Sequence, residues 1–225
     1  MWRDLTRATL LRLPGPQQRY RAAWAPLEQI VADACALQDH YRPVAEGIRY
    51  DAGGTVPYYP FLAGLAHVIN AQRVLEIGTL HGGSALALAA GMDGGTVVTF
   101  DVEPHGAETL AGHPQIRAFT ADATSRDGLD LARAALGDDP IDLALVDGEH
   151  DYWETQRSWM VCEWLGARIV VIDDIDLDDE MRRFWTDLQQ PHRTTVEAVA
   201  VADVDPTVRP EFGMGVVRLP RPRFQ

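Results

Sequence analysis

Two apolar runs of this sequence end abruptly in acids. ALVDGEHDYW leaves its run at Asp147, and IVVIDDIDLDDE leaves its run at Asp173 and Asp174. Solubility explains such acids poorly, because a carboxylate next to a buried run loses hydration. If the three meet in one cleft, their repulsion is relieved most simply by a hard divalent cation such as Mg²⁺; the alternative is that Asp147 and Asp173 cap strand ends. Asp176, Asp178, Asp179 and Glu180 read instead as a solvated helix start favoured by the helix dipole. Three residues past Asp147 stands His150, preceded by Glu149. Imidazole ordinarily titrates near neutral pH, which suits it to accept a proton from a substrate.

A second chemical segment is VLEIGTLHGGSALALA, Val74 to Ala89. An apolar strand runs into a glycine turn and then a helix N-terminus, so Gly78, Thr79, Gly82 and Ser84 present backbone amides to a carboxylate or ribose. The turn departs from the dinucleotide fingerprint, since Leu80 stands where a second glycine would admit a pyrophosphate; this argues against NAD. Asp101 closes the run VVTFDVEP, where it can accept both hydroxyls of a ribose or cap the helix before Pro104. In FTADATS, Asp122 and Ala123 follow another strand, and Asp122 can take an adenine amine or cap the helix starting near Ser125.

What must position these groups is an alternation of strands and helices. The pattern predicts strands at Arg73 to Ile77, Thr96 to Asp101, Gln115 to Thr120, Ile141 to Asp147 and Arg168 to Asp173, with helices at Gly82 to Ala90, Pro104 to Gly112, Ser125 to Leu136 and Tyr152 to Leu165. Continuous apolar strands alternating with helices mean an α/β, doubly wound, mostly parallel sheet covered on both faces. A further helix, Asp178 to Gln189, precedes two β-rich segments, Thr194 to Val204 and Gly213 to Leu219, which leave no room for a helix and predict an antiparallel hairpin at the edge of a seven-stranded sheet. Upstream, Gln17 to Tyr41 reads as one amphipathic helix broken by Pro43 and Gly53-Gly54, and Pro57 to Asn70 as a second. Residues 1–70 are thus expected to form a lid or dimer segment, and 71–225 the ligand-binding domain. Trp153, Trp159 and Trp164 are expected in the core of their helix, and Tyr58 and Tyr59 either in packing or at the substrate.

Net charge is −13, and every basic residue is an arginine. Such a field repels nucleic acid and anionic lipid, and favours a small-molecule substrate. No apolar run is long enough to cross a bilayer, so a cytoplasmic protein is expected. Cys35 and Cys162 fit neither a disulfide framework nor a metal finger, and read as reduced packing residues. The apolar face from Tyr20 to Leu37 predicts a homo-oligomer.

EIGTLHGGSALALA, VDGEHDY and VVIDD, in this order between about Leu75 and Asp174, resemble the class I S-adenosylmethionine-dependent methyltransferases. They are most similar to the group of cephalosporin-hydroxylase-like proteins and metal-dependent O-methyltransferases of macrolide and aminocoumarin sugar biosynthesis. The resemblance implies that Glu76, Gly78, Asp101 and Asp122 serve the cofactor, with Glu76 at its methionine amino end. It implies that Asp147, Asp173 and Asp174 hold a divalent ion chelating neighbouring substrate oxygens. Related catechol-type enzymes place a lysine base where His150 stands, whereas the sugar enzymes place an acid where Glu149 stands; His150 is preferred here. O-methylation of a small natural-product hydroxyl is the leading expectation. Metal-free N- or C-methylation and a non-catalytic cofactor-binding partner remain as alternatives, and the acceptor itself is not legible.

Overall fold

The computed structural model describes residues 25–48, 56–190, 197–208 and 212–220. Strands β1 (Arg73–Ile77), β2 (Thr96–Asp101), β3 (Ile116–Thr120), β4 (Leu143–Val146), β5 (Ile169–Asp173), β6 (Glu197–Ala200) and β7 (Met214–Arg218) form one sheet in the order β3-β2-β1-β4-β5-β7-β6. The first five are mutually parallel, and β7 alone runs antiparallel to both its neighbours. The strand order reverses between β1 and β4, and an open α/β sheet forms its ligand crevice at the C-terminal ends flanking such a point.

Alternate strand residues point to opposite faces, and the core divides accordingly. Val74, Val97, Leu143, Leu145 and Val171 join one apolar cluster. Leu75, Val98, Ala144, Val146 and Ile172 join another. The first face is covered by α1 (Leu27–Cys35), α2 (Gln38–Ala45), α3 (Tyr59–Val68) and α4 (Gly83–Gly91). The second is covered by α6 (Arg126–Leu136), α7 (Tyr152–Trp164) and α8 (Asp179–Leu188), while the single turn α5 (Ala107–Leu110) follows β2.

Several expectations are corrected. The helix expected over Gln17 to Tyr41 is, in its described part, two helices separated at Ala36-Leu37, and Pro43 lies inside the second without ending it. The bend lets both helices pack on α3: Gly64 abuts the Ala34 carbonyl, and the Tyr41 hydroxyl bonds His67 Nδ1 at 2.9 Å. Residues 17–24 and the Gly53-Gly54 break lie outside the described residues. The helix predicted over Pro104 to Gly112 is only the turn α5. Between β6 and β7 there is room for a short helix, α9 (Val201–Val204), within the span read as strand. Trp159 is buried as expected, but Trp153 and Trp164 are exposed, the latter stacked under Arg133 at 3.6 Å. Cys35 and Cys162 are buried free thiols, as the sequence suggested.

Candidate active site

At the C-terminal ends of the parallel strands lies a cleft of about 970 Å³. Gly78, Thr79, Ser84, Asp101, Asp122, Ala123, Asp147, Glu149, His150, Asp173 and Asp174 all line it. The topology therefore brings together residues spread over nearly a hundred positions of sequence.

The glycine turn forms its floor. Gly78 has φ +102°, and a side chain there would collide with the Asp147 carbonyl, so glycine lets β1 and β4 deliver their tips side by side. Gly82, at φ +79°, precedes α4. Leu80 adopts the left-handed conformation, unusual for a leucine, with φ +40°. It is held there by Asp101: Oδ2 accepts the amides of Thr79 at 3.0 Å and Leu80 at 2.7 Å, while Oδ1 accepts that of Glu103 at 2.9 Å. Thr79 is fixed further by a 2.5 Å hydroxyl bond to Thr99. Asp101 is thus first a brace for the turn, and only Oδ1 retains ready capacity for another donor.

Beneath the turn Glu76 is fully buried, and neither carboxylate oxygen has a hydrogen-bond partner within bonding geometry. Burial pushes its pKa up to about 7, and the neighbouring hydroxyls of Ser84 and Thr99 only partly offset this. A buried acceptor without a donor is costly, and neither Glu76 nor Gly82 is among the residues lining the cleft.

Asp122 makes a local turn, its Oδ1 accepting the amide and hydroxyl of Thr124 at 2.8 and 2.7 Å. Ser125, not Asp122, caps α6, its hydroxyl accepting the Gly128 amide. Arg157 approaches Asp122 Oδ2 at 3.9 Å and pairs with Glu154 at 2.9 Å.

Elsewhere in the cleft, Asp147, Asp173 and Asp174 stand near one another. His150 Nε2 stands 3.6 Å from both Asp147 Oδ1 and Asp174 Oδ2. Burial, then the neighbouring carboxylates, hold the Asp147 and Asp173 pKa values well above the usual range. Asp173 Oδ1 has no partner, and Asp174 has φ +56°, a left-handed conformation that turns the chain sharply at the strand tip. Among the described residues, no three His, Cys, Asp or Glu side chains stand at metal-ligand spacing.

Sequence reasoning undervalued several residues here. The Tyr58 hydroxyl lies beside Asp173, and burial followed by the neighbouring carboxylates pushes its pKa up so that it stays protonated. Buried Tyr59 lies against Gly83, where any side chain would meet the phenol. Glu180, read as a solvated acid, accepts the Tyr152 amide at 3.1 Å and so ties α8 to the loop carrying Glu149 and His150. Asp151 caps α7 by accepting the amides of Trp153 and Glu154. The one legible hint was Thr99, a polar residue inside the apolar run VVTFD.

Residues 75–175 match a family model described as a methyltransferase domain. That stretch is similar to a methyltransferase domain. A catechol O-methyltransferase of Mycobacterium tuberculosis is 34% identical over 119 residues, 51% of this chain and 53% of that protein, so the chain matches about half the length of this curated relative. Among solved structures, cofactor-bound Rv0187 from MTB has a TM-score of 0.59 at 25% identity, covering 86% of this chain and 91% of that one. The O-methyltransferase TomG of Streptomyces achromogenes, involved in tomaymycin synthesis and in complex with SAM, has a TM-score of 0.57 at 22% identity over 94% and 93%. An O-methyltransferase of Bacillus cereus in complex with SAH has a TM-score of 0.56 at 18% identity over 90% and 96%. The matched residues thus sit on the class I fold, with the glycine turn and the acids at one crevice.

Proposed function

We propose that the protein is an S-adenosylmethionine-dependent O-methyltransferase acting on a small-molecule hydroxyl, with a divalent ion such as Mg²⁺ at Asp147, Asp173 and Asp174. The observation that carries the cofactor reading is Glu76, a fully buried carboxylate with both oxygens unpartnered beneath a glycine turn. It suits the ammonium of an amino-acid end, while Asp101 Oδ1 suits a ribose hydroxyl and Asp122 with Ala123 an adenine edge. When bound, S-adenosylmethionine supplies a methyl group on sulfonium sulfur, open to in-line attack by an oxygen.

The metal reading is supported by donor chemistry: three carboxylates at the tips of β4 and β5, one with an unpartnered buried oxygen, are hard ligands. When bound, the ion would lower the pKa of a coordinated hydroxyl. The chain's own part is to orient the acceptor between Tyr58 and the strand tips, and to take its proton at His150 Nε2, with Glu149 the second candidate base. A specific observation also favours a metal-free variant: His150 Nε2, 3.6 Å from two carboxylates, occupies the place of a counter-charge.

Turnover of a catechol with Mg²⁺ and with EDTA separates the two. In the metal-dependent case EDTA abolishes product, and Asp147→Ala does the same while calorimetric affinity for S-adenosylhomocysteine changes less than about threefold. Undiminished turnover in EDTA and in Asp147→Ala removes the metal. His150→Gln is expected to lower kcat by roughly 10²-fold and to flatten the acid limb of the pH-rate profile, as loss of a general base does; an unchanged profile transfers the role to Glu149.

A further inference from the structure

A relay of side chains runs from α7 to the loop after β3. Arg157 Nη1 donates to both carboxylate oxygens of Glu154, at 2.9 and 3.0 Å, and Nη2 donates to the Thr124 hydroxyl at 2.9 Å. That hydroxyl donates in turn to Asp122 Oδ1 at 2.7 Å, where the Thr124 amide also donates at 2.8 Å. Glu154, Thr124 and Asp122 line the cleft, whereas Arg157, which joins them, does not. With Oδ1 already accepting two donors, Asp122 Oδ2 is the oxygen left for a ligand, and the guanidinium stands 3.9 Å from it. Arg157, Glu154 and Asp122 are each about half exposed, and ion pairs of that kind add little to fold stability. What the relay does supply is direction, because a carboxylate on an exposed turn is otherwise free to rotate away from a bound base.

Resting on the reading that S-adenosylmethionine fills this cleft, we propose that Arg157 is a positioning residue for recognition of the base: through Thr124 it holds Asp122 with Oδ2 toward the 6-amino group of the purine. It acts through Asp122 and not on the nucleoside itself. An amine that donates to an oriented carboxylate gains a charge-assisted hydrogen bond, whereas a purine without that amine leaves the carboxylate unpaired. The clamp is built on one side from α7, which also begins at the loop carrying Glu149 and His150, so the helix that follows the proposed catalytic loop also sets the cofactor's base specificity.

The test is calorimetry with two probes, S-adenosylhomocysteine and its 6-deamino analogue, in which hydrogen replaces the amino group of adenine. The parental protein is expected to prefer the amine about tenfold. Arg157→Leu is expected to cut that preference to about threefold or less, while leaving affinity for the deamino analogue within about twofold and the melting temperature within about 3 °C. Thr124→Val breaks the same relay without touching the charge, and is expected to lower the preference in the same direction. In an Asp122→Ala background the preference is already gone, and Arg157→Leu is expected to change it no further. A merely structural role would weaken both probes equally and leave the preference intact, which overturns the proposal. So does a parental protein that binds S-adenosylhomocysteine with no preference for the amine, or a further loss of preference from Arg157→Leu when Asp122 is absent. Binding of neither nucleoside to the parental protein overturns the cofactor reading itself, and the role of Arg157 with it.

Discussion

Glu76 shows how a single residue can trade fold stability for binding. Its folded pKa of about 7 lies above that of an unfolded glutamate near 4.5. A raised acid favours its neutral form, so below pH 4.5 it costs the fold nothing. Between pH 4.5 and 7 the unfolded chain ionises while the folded one does not, and above pH 7 a penalty of about 3 kcal/mol is complete. Glu76→Gln is therefore expected to raise the melting temperature of the cofactor-free protein at pH 8 by roughly 5 °C or more, with the gain vanishing towards pH 4.5. The same variant should bind S-adenosylhomocysteine at least about tenfold more weakly, and parental affinity should itself fall as pH drops below 7. Residue identities of this kind were legible in the sequence wherever an acid ended an apolar run, as at Asp101, Asp147 and Asp173. The partners were not: that Asp101 spends three acceptor positions on amides, or that Tyr58 meets Asp173, depends on turns that no local pattern encodes.

Among elements, α4 packs closely against α3. A methyl group on Gly91 would run into the Ala63 carbonyl, whereas one on Gly94 would meet nothing within 4 Å and suffer only from φ +88°. Gly91→Ala is expected to cost about 2–3 kcal/mol by forcing the helices apart, and Gly94→Ala about 1 kcal/mol from backbone strain alone. Thermal melts of the two variants check the order, and the reverse order would show that α3 yields freely. The strands were read to within a residue or two at most ends, because a parallel sheet buried on both faces writes continuous apolar runs. The N-terminal helix was over-extended because its apolar spacing continues across Ala36-Leu37, and nothing local says that α1 and α2 must both reach α3. The exposure of Trp153 and Trp164 was missed for a related reason: α7 is apolar on more than one side, so periodicity does not say which side meets the sheet.

At the scale of the whole molecule, the glycine turn, β1, β2 and β4 all contribute to one cleft, so a ligand there draws on both layers of helices. Saturating S-adenosylhomocysteine at a hundred times its dissociation constant is expected to stabilise the fold by about 2.7 kcal/mol, or roughly 5–10 °C, and to do so far less in Glu76→Gln. A melting temperature indifferent to the compound would remove the cofactor assignment. The two thiols supply a way to watch this from each side. Cys35 belongs to the cluster on one face and Cys162 to the cluster on the other, and burial pushes both thiol pKa values up to about 12. A disulfide reagent at neutral pH should thus label either one only during an opening event, so their separate labelling rates time the loosening of the two halves of the interior. Equal slowing of both by the nucleoside would mean that the layers open together, and slowing of one would mark the half that the ligand clamps.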